Sequence, residues 1–250
     1  ENNYLGKGII LDTKLMLDEE SVKGNFNYNN PNYKNTDKGL IINVASSSVD
    51  RLTEFGYKSS NINFLLGTSY EQFEDIYFSP QMSVEYDKIE TSNTASSSLK
   101  KQKGDYFDLN FSYSLNNDLR NQRYQATKGY KQVFSQEIPL ISDSYALSNK
   151  YTISKYMELI ENSTTTISFT GKTITSLTND KDVRISKRIT MPSKKLRGFE
   201  PGKVGPTDGG DHIGGNFMTA FNINSDVPYL FQNLQNMDIK LFFDAANLWG

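Results

Sequence analysis

Hydrophobic and polar residues alternate with a period of two along most of this chain. In the clearest stretch, 107–116, Phe107, Leu109 and Phe111 share one parity, and Asp108 and Asn110 share the other. Successive side chains of a β-strand point to opposite faces, so this alternation predicts a strand between two different environments. The same pattern, weaker in the sixth and seventh of these ranges, predicts ten more strands at 8–17, 22–28, 40–45, 61–70, 76–87, 130–138, 151–159, 166–177, 217–224 and 238–249.

Eleven strands of about ten residues predict an all-β fold, an antiparallel up-and-down transmembrane β-barrel. The polar parity is richer in Asn, Ser, Gln and Gly than in Lys and Glu, which suits a crowded, wet lumen. Turn residues cluster near 31–37, 117–129 and 226–237, whereas the connections near 91–103 and 178–213 are longer. Ser92–Ser98 is predicted to be a solvated loop tip. A soluble β-sandwich that binds carbohydrate or protein would show the same alternation and stays open at this point.

Composition narrows the functional classes. The 250 residues include no Cys, which excludes disulfides, zinc–thiolate sites and cysteine nucleophiles. The net charge of -2 gives no reason to expect a nucleic-acid partner. No motif indicates an enzyme, a metal site or a cofactor, and no apolar run approaches the roughly 18–20 residues of a membrane helix. We expect one domain over 1–250.

The long connection at about 178–213 is the candidate functional segment, because loops of this length in compact proteins are usually functional or disordered. At its middle lie Leu196, Arg197, Gly198 and Phe199. Asp244 lies on the polar parity of the last predicted strand. If the loop folds into the lumen, Arg197 can pair with Asp244 while Phe199 anchors the loop tip. An exposed loop arginine is the alternative.

A second group of basic residues stands at the start of the same loop. Without interleaved aromatic residues or a net basic chain, these side chains are interpreted as a solvated loop stem near lipopolysaccharide phosphates, not as a nucleic-acid site. The group comprises Arg184, Lys187, Arg188, Lys194 and Lys195.

Several motifs in order resemble the BamA family of outer-membrane β-barrel assembly factors. They are LRGF (196–199), GPTDGGDHIGGN (205–216) and FFDAANLWG (242–250), supported by NNYLGKGI (2–9), NPNY (30–33) and an R-x5-GY pattern ending at Tyr130. The match runs over essentially the whole chain and is closest to the alphaproteobacterial type. By position, it implies that Arg197 is the lumen-loop arginine and Asp244 its strand partner. The loop and strand glycines would be Gly205, Gly209, Gly210, Gly214 and Gly215.

The resemblance implies a function without covalent catalysis, cofactor or metal. Such proteins help nascent outer-membrane β-barrel proteins fold and insert, together with accessory assembly lipoproteins and outer-membrane lipids. The implied location is the cell outer membrane of a Gram-negative bacterium. A passive porin or a polypeptide-translocation pore of the same superfamily is the alternative.

Two departures and one boundary qualify the resemblance. Ala246 stands where the family usually has Gly, and Asn224 stands where some members have an acidic residue touching the arginine. Asp244 is therefore expected to be the principal partner. The family barrel has about sixteen strands, so the chain is expected to be a partial barrel without its POTRA domains. We expect an unclosed sheet with unpaired edge strands at both ends.

Overall fold

The computed structural model describes residues 4, 6–19, 21–53, 55–159, 161, 163–179, 181–227 and 239–250. The predicted turn at 226–237 therefore lies mostly outside the described residues, as do residues 2, 3 and 5 of the first motif and residue 238 of the last predicted strand. The described residues form thirteen strands: β1 (Ile10–Leu17), β2 (Ser21–Asn30), β3 (Gly39–Arg51), β4 (Tyr57–Phe73), β5 (Ile76–Thr91), β6 (Gly104–Asp118), β7 (Gly129–Ser142), β8 (Ala146–Met157), β9 (Thr164–Ser176), β10 (Thr207–Asp208), β11 (Asp211–His212), β12 (Phe217–Val227) and β13 (Ile239–Trp249). A 3-10 turn covers Tyr33–Asn35, and a short helix, α1, covers Ser97–Lys100. No helix in these ranges is long and apolar enough to cross a membrane.

Eleven strands form a single antiparallel sheet in the order β1-β2-β3-β4-β5-β6-β7-β8-β9-β12-β13, and β10 and β11 form a separate hairpin. Within the described residues, β1 pairs only with β2 and β13 pairs only with β12, so the sheet does not close. The predicted eleven-stranded, unclosed, up-and-down sheet is confirmed. The soluble β-sandwich is wrong, because all eleven strands belong to one sheet and not to two packed layers.

The two faces of the sheet differ as the alternation predicts. One face is apolar and exposed; Phe64 and Phe243, for example, are 47% and 57% exposed. The opposite face is polar, and Asp87, Asp108 and Asn222 on it are buried. We call these the outer face and the inner face. A wide exposed apolar band with a polar interior is the arrangement of strands that span a membrane.

The strands extend beyond the apolar alternation that predicts them. The alternation covers 61–70, but β4 runs from Tyr57 to Phe73. Backbone pairing with β3 and β5 continues into polar residues, because the ladder needs only backbone N–H and C=O groups. The apolar pattern therefore locates the centre of a strand and not its ends.

The chain between β9 and β12 folds back onto the inner face. We call residues 177–216 the inner loop. Val183, Ile189 and Met191 of the loop pack against Ile174, Met218 and Leu248 of three neighbouring strands. This apolar cluster fixes the loop against the inner wall, because burying each such side chain stabilises by about 1.5–3 kcal/mol.

A second apolar cluster joins the connection between β5 and β6 to the inner loop. Ala95 and Leu99 are buried against Ile89 and Ile185. The prediction that Ser92–Ser98 forms a solvated loop tip is correct for Asn93, Thr94 and Ser97, which are exposed, and wrong for Ala95, which is buried. The side chain of Asp211 accepts a hydrogen bond from the Ser96 amide at 3.0 Å, which ties the two connections together.

Candidate functional site

Arg197 of the inner loop and Asp244 of β13 form a two-pronged ion pair. The Arg197 Nε donates to Asp244 Oδ2 at 2.6 Å, and its Nη2 donates to Oδ1 at 2.5 Å. The Arg197 backbone N–H also donates to Oδ2, at 3.1 Å. The Asp244 side chain is 3% exposed and that of Arg197 is 33% exposed. Paired donors of a planar guanidinium fix the geometry as well as the charge of such a contact.

Asn222 of β12 completes the surroundings of this carboxylate. It lies opposite Asp244 in the β12–β13 register, and its Nδ2 donates to Asp244 Oδ1 at 2.8 Å. The same amide group donates to the Lys195 carbonyl at 2.9 Å, which holds the loop backbone two residues before the arginine. The β12 side chain that contacts the ion pair is therefore Asn222; Asn224, which stands where some family members have an acidic residue, lies opposite Phe242.

The other residues of the LRGF segment occupy distinct positions. Leu196 packs against the apolar cluster beneath the loop. Gly198 has a φ of 85°, a left-handed conformation that glycine adopts without strain. Phe199 is 59% exposed, so the expectation that it anchors the loop tip is wrong. The aromatic contact comes instead from Phe242 of β13, whose ring centre lies 3.8 Å from the guanidinium carbon of Arg197.

The five predicted glycines line the second half of the inner loop. Gly209 and Gly210 form the two-residue turn between β10 and β11. Gly205, Gly214 and Gly215 lie where the loop passes close to other backbone or to Leu248. Of these three glycines, Gly215 lies closest to another backbone segment: a Cβ added there would lie 2.7 Å from the Trp249 carbonyl oxygen. The last part of the loop therefore needs glycine to reach β12.

A second ion-paired anchor holds the start of the inner loop to β5 and β6. Arg184 is buried, with its Nη2 2.5 Å from Asp108 Oδ2 and its Nε 3.3 Å from Asp87 Oδ2. Its guanidinium carbon lies 4.4 Å from the ring centre of Tyr106. Asp108 also accepts a hydrogen bond from Ser142 Oγ at 2.5 Å. Both carboxylates and the arginine are 3% exposed or less, so bulk water screens this cluster little.

Lys187 extends the second anchor. Its ammonium contacts Glu85, and it lies 3.5 Å from Asp108. Glu85 and Asp108 face each other in the β5–β6 register, so the lysine neutralises two carboxylates that would otherwise repel. The interpretation of the basic residues as a solvated stem is wrong for Arg184 and Lys187, whose charges meet an acidic patch of the inner wall. Lys194 is exposed as predicted.

The signal for this second anchor was present in the strand pattern. Period-two parity places Glu85, Asp87 and Asp108 together on the polar face of adjacent strands. Three carboxylates on one wall predict a cationic partner, because buried charges are paired. The nearest available cations in the loop are those at its start.

These contacts position the inner loop against the wall. The hydrogen bond from the Arg197 side chain to Asp244 raises the pKa of the guanidinium, which is already a permanent cation. Arg184 meets two acidic strands and Arg197 meets a third, so the loop is attached to separate parts of the inner wall. Within the described residues, no group of three or more His, Cys, Asp or Glu side chains is arranged to hold a metal ion.

Together, the sheet and the site define a transmembrane-type β-barrel wall whose long loop returns to the inner face and is fixed there by an arginine–aspartate pair. The chain belongs to the Omp85 superfamily, whose domain matches residues 3–250. The resemblance to this family, predicted from the motifs, is confirmed; the alphaproteobacterial type stays a prediction.

Solved structures support the same fold. The fold of this chain matches 72 chains of solved structures. One of them is BamA from Haemophilus ducreyi lacking POTRA domains 1–3, with a TM-score of 0.79 and 20% sequence identity. The alignment covers 100% of this chain and 54% of the other, so this chain spans about half the length of that relative. Comparison with curated proteins gives no significant match.

Proposed function

We propose that this chain belongs to a factor that assembles β-barrel proteins in the outer membrane of a Gram-negative bacterium. The proposal is supported by membership of the Omp85 superfamily and by similarity of fold to a BamA. Its partners would be nascent outer-membrane β-barrel proteins, accessory assembly lipoproteins and outer-membrane lipids. The chain would act as a folding surface, without covalent catalysis or a cofactor.

One observation supports an assembly role more than any other: the inner loop is fixed to the wall by the Arg197–Asp244 pair. A loop held across the inner face occupies space that a freely conducting pore would leave open. The attached loop also stiffens the barrel wall, whose strands must keep a defined shape if they are to guide a strand of a nascent β-barrel protein. The role of Arg197 is therefore to position the loop, and Asp244 is its partner.

The test is depletion of the native protein in its host, followed by complementation. Wild-type protein is expected to restore the levels of outer-membrane β-barrel proteins, and Arg197→Ala to restore them only partly. Lys194→Ala is the matched control, since it removes an exposed cation from the same loop. It is expected to behave like wild type.

Two results would contradict the proposal. Unchanged levels of outer-membrane proteins on depletion would exclude an assembly role. Large ionic conductance of the wild-type protein in planar bilayers, combined with normal assembly in depleted cells, would favour the porin or translocation pore.

A further inference from the structure

Two lysines face each other on the inner wall. Lys150 of β8 and Lys172 of β9 are directly opposed in the register, and both line a cavity on the inner face. Like charges at directly opposed positions destabilise a sheet. No carboxylate among the described residues lies within ion-pair distance of either ammonium, in contrast to the acidic patch on β5 and β6.

The cavity beside these lysines is polar and roomy. Its volume is about 350 Å³, and besides the two lysines it presents hydroxyl and amide groups from four strands. Glu137 is the one carboxylate among the lining residues, and it lies opposite Ser148 and not opposite a lysine. Lining groups that can donate hydrogen bonds include Gln81, Ser112, Ser114, Ser135 and Ser148.

Lys195 brings a third cation toward this wall. The Asn222 side chain holds its backbone carbonyl, so this part of the loop is fixed near the strands. Burial, and then the charge of Lys150, lower the pKa of the Lys195 ammonium, while Asp244 opposes this effect. Asp244 is already paired with Arg197. Within the described residues, Glu137 is the one carboxylate that lines the cavity beside two lysines, whereas the acidic side of the inner wall has both Arg184 and Lys187.

We propose that Lys150 and Lys172 form a binding site for a phosphate-type oxyanion on the inner face of the barrel wall. A compact group with more than one negative charge would neutralise the opposed lysines and accept hydrogen bonds from the serine hydroxyls around the cavity. Such anions bind lysine ammonium groups as point charges and hydroxyl groups as neutral donors. The site does not depend on the assembly role.

The test is calorimetric titration of the full chain in a non-ionic detergent at low ionic strength, with inorganic pyrophosphate as the probe. Saturable binding is expected. Lys150→Gln and Lys172→Gln are each expected to weaken it about tenfold or more, as for loss of one charge-assisted contact of about 1.4 kcal/mol or more. Lys155→Gln is the matched control, because Lys155 lies on the same strand β8 but at the opposite parity, with its side chain exposed. It should bind pyrophosphate like wild type.

A second titration separates two sources of the phosphate group. Short-chain phosphatidic acid below its micelle concentration presents the same chemistry on a lipid headgroup. If both probes bind and both lose affinity in Lys172→Gln, the site recognises the phosphate group itself. If only the lipid binds, with the same sensitivity to Lys172→Gln, the ligand is a headgroup.

Two outcomes would overturn the proposal. One is absence of saturable binding of either probe to wild-type protein that shows the heat-dependent electrophoretic mobility of a folded barrel. The other is an equal loss of affinity in Lys155→Gln and Lys172→Gln, since binding would then reflect overall charge. Neither result bears on assembly, which is measured separately in cells.

Discussion

Replacing Arg197 with Ala removes one side of the ion pair and leaves the other side in place. Asp244 would keep the hydrogen bonds from Asn222 and from the backbone N–H at position 197. It would lose both guanidinium donors, at 2.6 and 2.5 Å. The carboxylate would then be a buried charge with two neutral donors and no cation.

The expected loss of unfolding free energy depends on how deeply Arg197 and Asp244 are each buried. Removing one partner of a buried pair costs about 3–5 kcal/mol, because the remaining charge is left unpaired. Asp244 is 3% exposed, but Arg197 is 33% exposed and partly hydrated, which places the loss near the lower end, about 3 kcal/mol. Asp244→Asn leaves the better hydrated guanidinium unpaired, so its loss should be smaller, about 1–2 kcal/mol.

The assay is urea unfolding of the refolded protein in detergent, comparing transition midpoints at constant slope. Attachment of the loop is measured separately in a Val204→Cys background, which is useful because the natural chain has no Cys. Val204 packs against the apolar cluster under the loop, so a thiol there should react slowly in wild type and faster in Arg197→Ala, where one of the two ionic attachments of the loop is lost. Lys194→Ala should change neither measurement, since its side chain is exposed.

The ordering of the two variants tests the reasoning. A greater loss of stability in Asp244→Asn than in Arg197→Ala would refute the argument from burial. Equal thiol reactivity in wild type and Arg197→Ala would show that the ion pair does not hold the loop.

Three further predictions concern the second anchor, the glycines and the outer face. Arg184→Met should lower the free energy of unfolding by about 3–5 kcal/mol in the same urea assay, because buried Asp87 loses its cation and Asp108 keeps only Lys187, at 3.5 Å. Gly215→Ala should cost about 1–3 kcal/mol through its contact with the Trp249 carbonyl, whereas Gly24→Ala, with nothing within 4 Å, should be nearly neutral in melting experiments. Phe64→Arg places a charge on the exposed apolar face. At the bilayer midplane this substitution should make the free energy of folding into lipid vesicles less favourable by about 2–4 kcal/mol.

The strands could be predicted from the sequence because their two faces meet two different environments. The alternation at 107–116 appears in the structure as the centre of β6, and even the weaker stretches at 130–138 and 151–159 correspond to β7 and β8. Lys155, which interrupts the apolar parity of β8, lies near the end of that strand, and the register there is continuous. An end position and not a bulge therefore accommodates its charge.

The contacts of the inner loop could not be predicted from local pattern in the same way. Val183, Arg184 and Ile185 are consecutive residues and all are buried. A segment enclosed on every side has no periodic face, so neither a period of two nor one of 3.6 reveals its burial. Strand parity and the family motifs together predict Asp244 as the partner of Arg197, whereas Arg184 belongs to none of the motifs quoted and its interpretation as a solvated residue is wrong.

The two anchors together explain how a single-layer sheet keeps its inner surface in a defined shape. Substantial contacts between the strands are confined to hydrogen-bonded neighbours, so the sheet alone does little to fix the relation of β5 and β6 to β13. Arg184 attaches the loop to β5 and β6, and Arg197 attaches it to β13, with four strands lying between. The loop therefore links distant strands across the inner face. It is attached through ion pairs at Arg184 and Arg197, and through apolar contacts between them, where Ile189 and Met191 pack against the wall. Breaking either end alone leaves the apolar contacts and the other ion pair, which is why the stability of single variants and the attachment of the loop must be measured separately.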